Sequence, residues 1–209
     1  MKLTLVYPKV PFWRAEVSRL ALHLGGIEFE NLAFSRDEFR AAKHDGTLPF
    51  GQVPILIVDG ETIAQTGAIA RFCGKLSGLY PKDDALAAAK IDQLIDAATD
   101  ITNKVGPSMR IKDPEAKMAA RQKLADATLP QWAGYLDNLY QQNEGAFFVG
   151  STLTIADLAI WRLIGWLKSG IIDGIPTTLI DQFPGLQAHY ARVGSEPKIA
   201  EWMRQNYTD

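Results

Sequence analysis

Strand-like alternation of apolar and polar residues is confined to the first third of this 209-residue chain; beyond residue 85 apolar residues recur only at helical spacing. Such a sequence has to build a layer containing a sheet and then a helical body, each burying its own apolar faces. Lys2 to Tyr7 alternate as a first strand, and Val17, Leu20, Ala21 and Leu24 share one face of a helix that Gly25-Gly26 ends. Ile27, Phe29 and Leu32 alternate again. A strand, helix and strand joined this tightly favour a right-handed crossover with the two strands parallel. After an irregular stretch holding Gly46, Pro49 and Gly51, the apolar run 53–58 and the run 61–64 are separated by Asp59-Gly60, a hairpin signal. Ile69, Phe72, Cys73 and Leu76 then mark a helix that lasts until Gly78.

This order, βαβ followed by ββα, predicts a thioredoxin-like α/β domain over residues 1–80. Tyr80-Pro81-Lys82-Asp83-Asp84 reads as a polar linker, and residues 85–209 as an all-α domain. In the second half, Ile91, Leu94, Ile95, Ala98, Ile101, Thr102 and Val105 form one stripe. Further helices are expected over 114–142, bent or interrupted at Pro130, and over 154–168, 178–182, 184–193 and 197–205. Thr154-Ile155-Ala156-Asp157 sets a threonine N-cap and an acid at N3 before an apolar run. That is a capping box, with Leu153 and Leu158 placed as its hydrophobic staple.

A net charge of −2 supplies no broad positive field for nucleic acid or an anionic membrane. The one cysteine, Cys73, excludes an intramolecular disulfide and suits a reducing, cytoplasmic setting. Residues 1–7 are apolar too briefly for a signal-peptide core, and the stretch from Ile155 to Leu167 is too short and too charged to span a bilayer. His23, His44 and His189 lack metal-ligand spacing, so no metal is expected.

Taken in order, several motifs resemble the cytosolic glutathione transferases over nearly the whole chain, in particular those that use a tyrosine, and among them the sigma class. They are Tyr7 ending the first strand, Arg14-Ala15-Glu16 opening the first helix, Gly51-Gln52-Val53-Pro54, and Gln65-Thr66. In the helical half the run from Gly150 to Asp157, Phe183-Pro184 and Ser195-Glu196-Pro197 match as well. The chain departs from sigma-class members in one respect: six residues separate Tyr7 from Arg14, one more than in that class, and Pro8 and Pro11 are among them.

The resemblance implies a two-part site. Glutathione's thiol is mostly protonated near neutral pH and only its thiolate attacks electrophiles well. Tyr7 is implied to donate a hydrogen bond to that sulfur, with Arg14 as a buried guanidinium behind it favouring negative charge. Gln65 and Thr66 are implied to hold the γ-glutamyl end at a helix N-terminus. A cis Val53-Pro54 bond would turn the Val53 backbone towards the cysteinyl unit, with Gln52 alongside. Phe39 and Lys43 stand where relatives carry a tryptophan and a lysine near the glycyl carboxylate, and Asp100 matches an acid that crosses a symmetric dimer interface. Phe12, Trp13, Met109 and Tyr207 are expected in the electrophile pocket. Cys73 sits in an apolar stripe and reads as core, which argues against cysteine-type relatives.

The expected protein is thus a cytoplasmic homodimeric glutathione transferase, with glutathione as co-substrate and small apolar electrophiles as partners. A glutathione-dependent isomerase or peroxidase would use the same thiolate. A non-catalytic glutathione- or ligand-binding protein is open on the fold alone.

Overall fold

The computed structural model describes residues 1–143 and 145–207. Its first part runs β1 (Leu3–Val6), α1 (Trp13–Leu24), β2 (Glu30–Leu32), α2 (Arg36–His44), β3 (Ile55–Val58), β4 (Glu61–Ala64) and α3 (Thr66–Ser77). The strands lie in the order β2-β1-β3-β4, with β1 parallel to β2 and the other two pairings antiparallel. Because side chains alternate across a strand, β1 serves two layers. Leu3 and Leu5 join the main core with α1 and α3, whereas Val6 packs with Ile55, Ala42 and Leu48 on the other face.

Helix α2 occupies ground that the sequence pattern leaves irregular. Only Ala42 of its nine residues is buried, so no apolar stripe announces it. Its signal is local: the Ser35 amide donates to Glu38 Oε2 at 2.7 Å and the Glu38 amide to Ser35 Oγ at 3.2 Å, a reciprocal capping box.

The second part is α4 (Ala85–Val105), α5 (Pro114–Lys123), α6 (Leu129–Gln142), α7 (Ile155–Lys168), α8 (Pro184–Gly194) and α9 (Pro197–Asn206). The interruption expected at Pro130 falls one turn earlier, in a π-helical turn over Leu124–Thr128. Proline has no amide for the carbonyl four residues back and its ring crowds that carbonyl. The chain therefore widens ahead of it, and the Leu129 amide reaches back to Leu124 O. The 178–182 segment forms only a 3-10 turn, Leu179–Gln182.

Helix α7 is the axis of the molecule, with twelve of its fourteen residues buried. One apolar core continues from Leu3 in the sheet to Ile199 in α9. Polar ties cross the same junction: Trp13 Nε1 donates to Thr102 Oγ1 at 2.8 Å, Arg71 pairs with Asp92 at 2.7 Å, and the Ile155 amide donates to Leu79 O at 3.0 Å. Cys73 is fully buried in this core, and burial pushes its thiol up to about 12. Native protein is therefore expected to leave Ellman's reagent uncoloured at pH 8 and to release one equivalent of thiol in denaturant; rapid reaction of the folded form would contradict the packing.

Candidate active site

Tyr7 directly follows β1, and its amide prolongs the β1–β2 ladder by donating to Leu32 O at 2.9 Å. The loop from Pro8 to Phe12 then turns into α1. Two buried guanidinium groups hold that loop by its carbonyls. Arg19 Nη2 donates to Tyr7 O at 3.2 Å and to Pro8 O at 2.9 Å, and its Nη1 to Val10 O at 3.2 Å. Arg162, arriving from α7, donates twice to Pro11 O, at 3.1 Å from Nε and 2.7 Å from Nη2. The backbone acceptors of this loop are thus tied to fixed donors.

Arg19 is fully buried against Glu16, with Nη1 3.0 Å from Oε2. Glu16 also accepts from Trp202 Nε1 at 2.6 Å and from the Tyr207 hydroxyl at 2.5 Å, which satisfies the buried carboxylate from α9 and the segment after it. Tyr207 therefore turns inward to Glu16 and does not line the apolar pocket as the resemblance led us to expect. Desolvation and the adjacent Glu16 charge both raise its pKa, so it acts as a hydroxyl donor. Trp13 is a second correction: it is wholly buried, its indole committed to Thr102 on α4.

Tyr7 forms part of the wall of an apolar cavity of about 320 Å³, together with Phe12, Met109, Arg162, Trp166 and Ile171. Phe12 meets Trp166 edge-on, with ring centroids 5.0 Å apart, a favourable aromatic geometry. Burial raises the Tyr7 pKa, opposed by the charges of Arg14 and then Arg19. The hydroxyl keeps its proton at neutral pH while standing in a field that favours an anion beside it.

Beside Arg14 runs a polar groove of about 310 Å³ lined by Gln52, Val53, Pro54, Gln65 and Thr66. It continues over about 280 Å³ past Gly67, Arg71 and Asp96. The Val53-Pro54 bond is cis. Gln65 takes φ 75°, ψ 122° at the N-cap of α3, an uncommon backbone state for a residue with a Cβ. The first helical bond of α3 is from the Ile69 amide to Gln65 O, so the amides of Thr66, Gly67 and Ala68 stand at a helix start that borders the groove. This is a concave, donor-rich strip next to an apolar hole.

The remaining expected residues lie around it. Arg14 is half-buried and borders the groove; the fully buried guanidinium behind Tyr7 is Arg19 instead. Lys43 places its ammonium 4.7 Å over the Phe39 ring, with its stem passing Gly51, and neither residue is among those lining the groove. Asp100 is exposed on α4, one turn beyond Asp96 and outside the groove of its own chain. The sequence reading missed Glu16 and Arg19 as a buried pair. Their i, i+3 spacing inside the otherwise apolar α1 was the available signal. Arg162 carried a similar signal, being a cation inside the apolar run from Ile155 to Leu167. Among the described residues no group of three His, Cys, Asp or Glu could hold a metal ion, and no helix is long and apolar enough to cross a membrane.

Comparison with known proteins matches residues 1–74 to the glutathione S-transferase N-terminal domain and residues 99–206 to the glutathione S-transferase C-terminal domain. A curated relative, the probable glutathione S-transferase 7 of Caenorhabditis elegans, is 30% identical over 191 residues, covering 90% of this chain and 89% of that protein. A monomeric glutathione S-transferase of the hookworm Necator americanus superposes over 100% of this chain and 99% of that one, with a TM-score of 0.82 and 28% identity. A prostaglandin synthase D of Nilaparvata lugens superposes over 100% of both chains with a TM-score of 0.86 at 24% identity, a likeness of fold.

Proposed function

The chain belongs to the glutathione S-transferase family and is an enzyme of that class, and from that membership we propose that it activates glutathione as a thiolate through Tyr7 and directs it at apolar electrophiles. One observation carries this reading: Tyr7, partly buried and with its phenol protonated, lines an apolar cavity, and the positive charges of Arg14 and Arg19 act on it. A donor fixed before reaction stabilises the sulfur anion without reorganising solvent. Glutathione is assigned to the groove beside Arg14. Its γ-glutamyl carboxylate would meet the Gln65-Thr66 helix start, and its cysteinyl unit the backbone of Val53. Gln52 stands beside them, and Lys43 beside Phe39 takes the glycyl end. The electrophile would lie against Phe12, Met109 and Trp166.

The tyrosine-type, sigma-like placement rests on Tyr7 and the motifs that follow it. A reducing, cytoplasmic setting suits the free, buried thiol of Cys73, and a detoxifying role rests on the resemblance alone. Homodimerisation is supported by Asp100, exposed on α4 outside its own groove, and by Phe50, 64% exposed at the groove edge.

The test is an ultraviolet titration of the glutathione complex, following thiolate absorbance in wild type and Tyr7→Phe. Loss of a hydrogen bond to a charged acceptor is worth about 1.5–3 kcal/mol, so the bound thiol pKa should rise by about one to two units. Since the Tyr7 pKa is raised, kcat/KM should climb with pH through the thiol pKa and show no alkaline fall below pH 10. Equal thiol pKa values in both proteins, with glutathione bound, would remove Tyr7 from the activating role.

A further inference from the structure

The apolar cavity contains one charged side chain, and its charge is not neutralised within the protein. Arg162 is 7% exposed, yet no carboxylate lies within ion-pairing distance of it among the described residues. The nearest acid acting on it, Glu16, is already engaged by Arg19, Trp202 and Tyr207. Nε and Nη2 are spent on Pro11 O, which leaves Nη1 without a protein acceptor among the described residues. The guanidinium is seated rather than loose. It lies 4.9 Å over the Trp161 ring, and Gly165, one turn further along α7, leaves the space for its head: a Cβ there would fall 2.9 Å from Nη1. Arg162 and Gly165 both line the cavity. A desolvated guanidinium with one free donor edge in an otherwise apolar chamber is incomplete until it meets an anion.

We propose that Arg162 makes this cavity selective for apolar molecules carrying one carboxylate, which its free Nη1 edge receives while Phe12, Trp166, Met109 and Ile171 hold the hydrocarbon. This rests on the cavity being the electrophile half of the transferase site and names the substrate class of that half. Neutral aromatic electrophiles fill the apolar walls but leave the guanidinium uncompensated, so they are the poorer ligands.

Trp166 in the cavity wall provides a readout that needs neither glutathione nor turnover. Quenching of tryptophan emission by 4-phenylbutyrate and by 4-phenylbutyramide gives two dissociation constants for an acid and a nearly isosteric neutral amide. Wild type should bind the carboxylate about tenfold more tightly or better, the ratio expected of a charge-assisted contact. In Arg162→Leu the ratio should fall close to one. Gly165→Ala, which keeps every bond to the protein except those its methyl displaces, should reduce the ratio as well, and it decides the matter if Arg162→Leu does not fold. No carboxylate preference in wild type, or a preference unchanged in whichever variant folds, would overturn the proposal. Thiolate formation is read separately: a carboxylate preference that persists in Tyr7→Phe supports the Arg162 site even where the Tyr7 mechanism fails.

Discussion

Replacing Arg19 with methionine is expected to lower the unfolding free energy by about 3–5 kcal/mol, the usual penalty for orphaning one member of a buried ion pair. For a chain of this length that is a fall of roughly 6–20 °C in Tm, at about 2–4 °C per kcal/mol. Methionine fills the volume, but the buried Glu16 carboxylate is left with only the Trp202 indole and the Tyr207 hydroxyl. Three carbonyls of the loop, those of Tyr7, Pro8 and Val10, lose the guanidinium at the same time, leaving Pro8 O and Val10 O only the amides of Val10 and Phe12, and Asn31 Oδ1 loses it too. The loop should then sample other registers, and turnover measured well below Tm should drop by about tenfold, since small misplacements of a catalytic group are costly. The double variant Glu16→Gln/Arg19→Met separates the two effects. Removing the orphaned charge should return most of the stability, while the unheld loop keeps turnover low. Recovery of both together would mean that Arg19 matters to Tyr7 only through folding. An unchanged Tm in the single variant would contradict the buried pair itself.

That pair was not legible in the sequence, whereas much of the fold around it was. Sheet and helix periodicity placed β1, α1, β3, β4 and α3, because each buries a regular set of side chains and Asp59-Gly60 leaves few alternatives between β3 and β4. α2 escaped because a helix with one buried residue has no stripe, although Ser35 and Glu38 spelled out its cap. Side-chain direction was harder. Phe12 and Trp13 are adjacent aromatics suited equally to a core or a pocket, and the start of α1 turns one to the cavity and the other to Thr102. Tyr207 and Glu16 are 191 positions apart, so no local pattern could pair them. The motifs pointed to Arg14, but which of two arginines lies under Tyr7 depends on how a six-residue loop folds back on α1. That is a property of Arg19's contacts rather than of spacing.

Asp157→Asn, a change that would cost little at an ordinary helix cap, is expected to remove about 3 kcal/mol here, and Asp157→Ala about 4 kcal/mol, because several buried donors lose their acceptor at once. Both carboxylate oxygens are fully used. Oδ1 accepts from the Phe148 amide at 2.9 Å and lies 3.2 Å from His189 Nε2. Oδ2 accepts from the Thr154 amide at 2.8 Å and the Thr154 hydroxyl at 2.9 Å. Asparagine keeps the shape but turns one of these acceptors into a donor that faces other donors. Thr154→Ala, by contrast, withdraws one donor and should cost about 1 kcal/mol, the usual worth of a cap. Urea titrations should show the midpoint falling in this order with the slope unchanged. If Asp157→Asn instead costs no more than Thr154→Ala, Asp157 is a cap and nothing else. A cost near 3 kcal/mol would show that it joins three segments, the turn before α7, α7 itself and α8. The consequence reaches the active site through α7, since Arg162 sits on that helix and holds Pro11. A loosened α7 should therefore weaken the carboxylate preference of the cavity and the placement of Tyr7 in the same variant.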